Sequence, residues 1–197
     1  MNQKFDKAFW EGKYDSDEAK WHTGAVTTPI KEYVDQLIDK DIKVLVPGIG
    51  HGHELYYLHQ QGFDYITGLD FTDKAVQETA QVHTDFPIDK VLLGDFFEHE
   101  GQYDLIIEQT FFCSLPIHSR KAYVDKMYEL LKPGGKLVGV LFDCQFAQET
   151  PPFGGSKEEY LDLFCDKFEI NILETAHNSI KPRAGRELFF IINKQHD

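Results

Sequence analysis

Two rhythms of apolar and polar positions alternate along this chain. Short apolar runs fall at KVLV (43–46), YITGLD (65–70), KVLLGD (90–95), YDLIIEQ (103–109) and GKLVGVLF (135–142). Stretches with helical recurrence lie between them, at 53–61, 73–83 and from about Ser119 to Leu131. Short apolar strands separated by amphipathic helices predict an α/β fold with a parallel sheet covered on both faces. KPGG (132–135) is read as a helix stop and turn into the fifth strand. Beyond it, SKEEYLDLF (156–164) predicts a helix opened by Ser156 as N-cap, and FEINIL (168–173) and ELFFIIN (187–193) predict two closing strands, suited to antiparallel pairing. The first ten residues and AQETPPFGGS (147–156) carry the composition of flexible segments, the second placed to act as a lid.

The first strand runs into VPGIGHGH, with glycines at 48, 50 and 52. In an open parallel sheet, ligands bind outside the carboxyl ends of the strands where their order reverses, and the first strand-to-helix turn lies there. Glycine permits positive φ and close approach to the main chain, while the helix N-terminus behind it offers free N–H groups. The next strand ends at Asp70, followed by Phe71, at a spacing close to the ~20 residues expected of an acid that accepts hydrogen bonds from ribose hydroxyls. Together these point to a nucleoside-containing cofactor. The plainer alternative is that the glycines make a tight turn and Asp70 caps the helix starting near Thr72. A dinucleotide loop wants G-x-G-x-x-G, and here the third required position is His53, so the pattern favours S-adenosylmethionine over a nicotinamide cofactor. GDFF (94–97) then supplies Asp95 as acceptor for an exocyclic amine and Phe96 as a stacking face.

Composition narrows the partners. At 197 residues the chain suits a single domain, 1–197. A formal net charge of −13 disfavours nucleic acid and anionic membrane surfaces, which leaves a small-molecule acceptor as the expected partner. The three cysteines, Cys113, Cys144 and Cys165, are widely spaced without a C-x-x-C pair and read as reduced thiols. With no apolar stretch near ~20 residues and no secretion-type start, a cytoplasmic location is expected. His51, His53 and His59 lack a third ligand at recognisable spacing, so no metal site is expected. His118 is expected to open a helix, and Cys113 to be buried.

The strings VLVPGIGHGHELYYLHQQGFDYITGLDFTDKAV, LLGDFFEHEGQYDLIIEQTFFCSL, LLKPGGKLVGVLF and PPFGGSKEEY resemble the thiopurine methyltransferase family, and within it the thiol and halide methyltransferase branch. The resemblance runs from about Phe9 to Asn193, with V-P-G-x-G-x-G its most specific mark. It implies a Rossmann-like class I methyltransferase: a mostly parallel seven-stranded sheet with helices on both faces and an antiparallel last strand. It also implies an aromatic N-terminal segment, residues 1–30, that folds over the cofactor through Trp10, Tyr14 and Trp21, followed by Gly24. Such a lid is physically apt because a sulfonium cation is attracted to π faces and closure removes water. Cofactor contacts are implied at Gly48, Asp70, Asp95, Phe96 and Gln109. The chain departs from the family at Gln109, where the halide branch tends to carry tyrosine and the thiopurine enzymes carry an arginine proposed to assist the acceptor.

The acceptor pocket is expected among TFFC (110–113), PPF (151–153) and KPRAGRE (181–187), with Phe112, Phe153 and Arg183 foremost. Methyl transfer from a sulfonium is an in-line displacement, so alignment and a dry pocket can supply most of the acceleration and no catalytic base is assigned. An anionic acceptor would need a local cation such as Arg183, whereas a neutral thiol would not; thiols are therefore the first choice, ahead of halides. Two other readings share the loop: a nicotinamide-dependent oxidoreductase, and a cofactor-binding module without turnover. The acceptor's identity and the oligomeric state are open at this level.

Overall fold

The structure, a computed structural model, describes residues 5–16 and 21–195. Of the two segments read as flexible, residues 1–4 lie outside the described residues, as do 17–20 of the aromatic segment. Seven strands form one sheet in the order β3-β2-β1-β4-β5-β7-β6. They are β1 (Val44–Pro47), β2 (Ile66–Asp70), β3 (Val91–Leu93), β4 (Tyr103–Gln109), β5 (Leu131–Phe142), β6 (Glu169–Thr175) and β7 (Glu187–Asn193). The first five are parallel; β7 runs antiparallel between β5 and β6. Strand order reverses between β1 and β4, which puts the turn after β1 at the switch point, as the glycine pattern requires.

Alternation along the strands sorts their side chains onto two faces. Val44 and Val46 of β1 pack with Leu105 and Ile107 of β4 in one core. Leu45 and Ile106 point the other way, into a second core with Tyr123, Leu137, Phe164 and Phe190. Helices α2 (Thr28–Asp35), α3 (His53–Gln60) and α4 (Asp73–Val82) contribute to the first core, α5 (Arg120–Leu130) and α6 (Lys157–Phe164) to the second. Caps fall where the residue types demand them: the Thr72 side chain accepts from the Ala75 N–H at 3.2 Å, and Ser156 from the Glu159 N–H at 3.3 Å.

KPGG turns the chain as read, with Gly134 at φ +76° and the pairing on β4 passing from Leu131 to Lys136, but the strand is entered already before it. KPGG lies within β5, which begins at Leu131 directly after α5, and its main chain joins the sheet through Gly134 N–H to the Lys194 carbonyl, 2.8 Å, and Lys194 N–H to the Gly135 carbonyl, 2.9 Å. The irregularity the glycines supply is absorbed as a register shift opposite Tyr103 and Leu105. At the other end, the aromatic start contains a helix, α1 (Lys7–Asp15), capped by Asp6. None of its residues is fully buried, and it rests on α4 through the ion pairs Lys7 to Asp73 and Lys74 to Asp15. Exposed pairs of this kind add little stability, and Tyr14, packed against the first core, gives the helix a further hold.

Candidate active site

The glycine loop and Asp70 are built around each other. Gly48, Gly50 and Gly52 have φ of +63°, +57° and +73°, values that side-chain-bearing residues rarely adopt. The loop is closed by hydrogen bonds from Gly48 N–H to the Leu69 carbonyl at 2.7 Å and from Gly52 N–H to the Ile49 carbonyl at 2.8 Å. What approaches each glycine is instructive. At Gly48 it is the ring of Phe111 and at Gly52 the Thr79 side chain, so these two are required by the chain's own packing. Only Gly50 faces the aromatic segment, with Trp21 Nε1 3.1 Å from where a Cβ would stand.

Asp70, buried at the end of β2, accepts from the Thr72 N–H at 3.0 Å, the Thr72 hydroxyl at 2.8 Å and, more weakly, the Gly50 N–H at 3.4 Å. Burial pushes its carboxyl above the ordinary range, and these donors pull it back. The plain capping role and the ribose role therefore share one side chain: the carboxylate orders the loop and offers acceptor capacity at the sheet edge. Tyr14 reaches the same place, within hydrogen-bonding reach of Thr72 and Trp21, and burial beside Asp70 raises its phenol well above the normal value.

A narrow cleft, open to solvent, lies over the loop between Trp21, Thr27, Gly50, Glu54, Gln109 and Thr110. The Thr27 hydroxyl donates to Gln109 Oε1 at 3.0 Å and its N–H to Glu54 Oε1 at 3.2 Å, tying the start of α2 to the end of β4 and the first turn of α3. Trp10, Tyr14 and Trp21 form a chain of edge-to-face rings, with centroids 5.6 Å (Trp10 to Trp21) and 5.3 Å (Tyr14 to Trp21) apart. Asp95 is exposed and accepts from the Phe97 N–H at 2.8 Å, and Phe71 is partly exposed beyond Asp70.

Three expected site residues are engaged otherwise than foreseen. Phe112 is no pocket wall: it is 1% exposed, edge-on to Tyr123 and Tyr160, with the Arg120 guanidinium 4.8 Å from its ring centre. Its neighbour Phe111 takes the place near the cofactor loop, because Thr110 has φ +59° and breaks strand alternation there. Phe96 is likewise buried, between Phe111 and Tyr123, so its ring is core packing and not a free stacking face. Arg183 is buried, with Nη1 3.4 Å from Glu187 Oε1 and Nη2 3.4 Å from the Trp21 carbonyl, so its charge is already engaged. Phe153 does approach the expected region, donating its N–H to the Cys113 carbonyl at 2.7 Å beside Gly154, whose carbonyl accepts from Arg120.

Sequence reasoning passed over Thr27, Glu54 and Glu108. Glu54 could have been suspected from its position in the first turn of the helix behind the glycines, where acids favour the dipole. It also passed over the clustering of His22, His51, His53 and His83, whose ring centres are 3.9 Å (His22 to His51), 4.9 Å (His22 to His53) and 5.1 Å (His53 to His83) apart. Among the described residues, no group of three or more His, Cys, Asp or Glu is placed to hold a metal ion. Burial, with repulsion from the neighbouring imidazoles, pushes His51 and His53 down to about 4. The other groups facing the cluster are Glu78, 3.9 Å from His51 Nε2, the Tyr14 ring, and Tyr56 and Asp85 around His83.

A folded pKa held below the unfolded value near ~6.5 gives stability that is full above that pH and is lost as pH falls toward 4. Because His22 adjoins Trp21, acidification through this window is expected to loosen the aromatic segment. Both tryptophans of the chain, Trp10 and Trp21, report on it, so intrinsic fluorescence should shift to the red between pH 6.5 and 4 while far-ultraviolet circular dichroism stays constant.

A seven-stranded sheet with one antiparallel strand, a glycine turn at its switch point and an acid closing the second strand define a class I S-adenosylmethionine-dependent methyltransferase. Residues 5–190 match the family model of thiopurine S-methyltransferase, and the chain belongs to that family. It is 29% identical over 184 residues to a probable thiol methyltransferase 2 of Arabidopsis thaliana, covering 90% of this chain and 81% of that protein. It is 28% identical over 193 residues to thiocyanate methyltransferase 1 of Brassica oleracea, covering 95% and 85%. Among solved structures it resembles the 1,6-didemethyltoxoflavin-N1-methyltransferase of Burkholderia thailandensis with bound 1,6-didemethyltoxoflavin and S-adenosylhomocysteine, at a TM-score of 0.77 and 17% identity over 97% of this chain and 87% of that one. The protein is thus an S-adenosylmethionine-dependent methyltransferase, which closes the nicotinamide reading. No helix among the described residues is long and apolar enough to cross a membrane.

Proposed function

We propose that the chain transfers the methyl group of S-adenosylmethionine to a small thiol. The observation that carries this is the pairing of a cofactor cleft lined by Glu54 and Trp21 with a neighbouring Arg183 whose charge is already engaged by Glu187. The residues of the cleft fit the cofactor: Asp70 supplies buried acceptor oxygens, Glu54 faces the cavity as counter-charge for an ammonium, and Gly50 leaves its main chain uncovered by a side chain of its own. Phe71 and Asp95 are exposed at the neighbouring sheet edge, where an adenine would meet them. Gln109 and Thr27 set the cavity's inner end, and Gly48 and Gly52 hold the turn.

When bound, the cofactor supplies a methyl carbon activated by a sulfonium. The chain's own part is to align the acceptor and exclude water, a contribution that can reach ~7 to 11 kcal/mol in well-oriented reactions. Trp10, Tyr14 and Trp21 close over the cleft as a lid, with the Arg183 bond to the Trp21 carbonyl as its latch. The relatives named for thiols and thiocyanate support sulfur as the acceptor atom. Titration calorimetry with S-adenosylhomocysteine, followed by methylation of a panel of thiols, halides and phenols read by mass, tests the proposal. Tight binding and a thioether product are expected. Methyl transfer to phenols alone would refute the thiol assignment.

A further inference from the structure

The imidazoles of His22, His51, His53 and His83 come from four separate parts of the chain: the aromatic segment, the glycine turn, the first turn of α3 and the end of α4. Three of them, His22, His51 and His53, line the same cleft as Gly50, Glu54 and Gln109. His22 is exposed and lies against the rings of the buried His51 and His53, so the cluster is a contact by which the segment bearing Trp21 sits on the turn. Behind it, Thr79 packs against Gly52, and the His83 ring is hydrogen-bonded to the His51 main chain.

Among the described residues, seven buried side-chain polar atoms lack a hydrogen-bond partner, and four of them belong to this spot: His51 Nδ1, His53 Nε2, Thr79 Oγ1 and His83 Nε2. A neutral imidazole has one donor and one acceptor, whereas an imidazolium has two donors, and a buried donor without an acceptor is costly. Acceptors for added protons are scarce here. Glu78 of α4 lies 3.9 Å from His51 Nε2 and Asp85 stands beside His83, while the Tyr14 and Tyr56 rings pack on His51 and His83. Lys74 of α4 is paired with Asp15. Asp70 and Glu54, the other acids at the turn, are engaged by Thr72 and Gly50 and by Thr27. Charging the closed cluster therefore puts like charges on rings whose centres are 3.9 to 6.1 Å apart.

We infer that this cluster is a proton-operated gate on the cofactor cleft: neutral, it lets the aromatic segment close over the sulfonium, and protonated, it drives the segment off and repels the cofactor's charge. The inference rests on the placement of the cofactor in this cleft and deepens it. His22 is the one ring of the cluster carried by the segment, so its separation from His51 and His53 relieves the repulsion and opens the buried nitrogens to water. Cofactor binding closes the segment again and must expel the protons, which couples affinity to pH by linkage. The two forms of the cofactor feel this unequally. S-adenosylmethionine carries one more positive charge than S-adenosylhomocysteine, so charged imidazoles in the wall oppose the donor more than the product. Burial and mutual repulsion push His51 and His53 down to about 4, which keeps the closed gate neutral at neutral pH.

The test measures the affinities of S-adenosylmethionine and S-adenosylhomocysteine by calorimetry at pH 7.5 and pH 5.0, with far-ultraviolet circular dichroism as the check on folding. The proteins compared are the wild type and the double variant His51→Gln with His53→Gln. An imidazole near ~6.5 in the open form and about 4 in the closed one should weaken both ligands of wild type by at least about 10-fold at pH 5.0. The donor should lose roughly 5-fold more than the product. In the double variant the fall between the two pH values should shrink to within about 3-fold, and the donor's extra loss should vanish. Asp70 and Glu54 are present in both proteins, so a pH dependence undiminished in the folded double variant would belong to them and overturn the inference. Wild-type affinities equal at the two pH values would overturn it without any variant. Failure of S-adenosylhomocysteine to bind the wild type at pH 7.5 would instead refute the cofactor reading of the cleft, and the inference with it.

Discussion

Glu108→Ala is expected to destabilise the protein by about 3 kcal/mol or more, enough to lower its melting temperature by roughly 6 to 12 °C for a chain of this size. The side chain is fully buried at the end of β4. Its Oε1 accepts from the Phe111 N–H at 2.8 Å and the Phe112 N–H at 2.9 Å, and its Oε2 from the Tyr123 hydroxyl at 2.7 Å. Alanine would strand three buried donors at once and release the turn that carries Phe111 onto Gly48. Glu108→Gln keeps the shape and can accept from the same amides, so it should lose much less. It should also change the pH dependence. Burial pushes the Glu108 carboxyl up to about 7, above the ~4.3 of an unfolded chain. Between those values the folded state holds more protons, so this group's contribution falls as pH rises from about 4.3 to 7, by roughly 3 to 4 kcal/mol in all. Urea unfolding at pH 5 and pH 7.5 should show the glutamine variant gaining on wild type at the higher pH. A constant difference between the two proteins would show that Glu108 does not titrate in this range.

Asp70→Ala carries the largest expected effect on the cofactor. Losing hydrogen bonds to ribose hydroxyls should weaken S-adenosylhomocysteine binding by about 1 to 3 kcal/mol, or roughly 5- to 150-fold. The structure adds a second source of loss, since Asp70 also anchors Gly50 and Thr72. Asp70→Asn separates the two. It retains one acceptor oxygen for the Thr72 N–H and should preserve much of the loop while still weakening the cofactor's ribose contacts. Calorimetry on both variants, with the thermal midpoint of the free proteins as reference, resolves these contributions. Affinity unchanged in both would place the ribose away from Asp70.

How legible the site was depended on what each residue does. Features dictated by the main chain could be read directly: three glycines at positive φ, Ser156 as a cap, and apolar strands in the order of a doubly wound sheet. KPGG was legible as a helix stop and turn, but not the entry into the strand already at Leu131, because the pairing of that residue with Tyr103 depends on the sheet and not on the local residues. Of the two phenylalanines of TFFC, the sequence does not say which one faces the loop; the left-handed Thr110 directs Phe111 onto Gly48 and leaves Phe112 in the core, and nothing in T-F-F announces that turn. Arg183 was read as an available cation because its partner, Glu187, becomes adjacent only when the short helical turn at Lys181–Arg183 folds against the start of β7. Thr27 was invisible for a similar reason, its contacts with Glu54 and Gln109 spanning 27 and 82 positions.

The cofactor's expected place is the glycine turn, beneath Trp21 and beside Asp70. A crystal structure of the protein with S-adenosylhomocysteine tests this most directly. Ribose hydroxyls within hydrogen-bonding distance of the Asp70 carboxylate, with the homocysteine end in the cavity between Gly50, Glu54 and Gln109, is the expected result. A cofactor bound in any other crevice, or one whose ribose is held by a different acid, would contradict it.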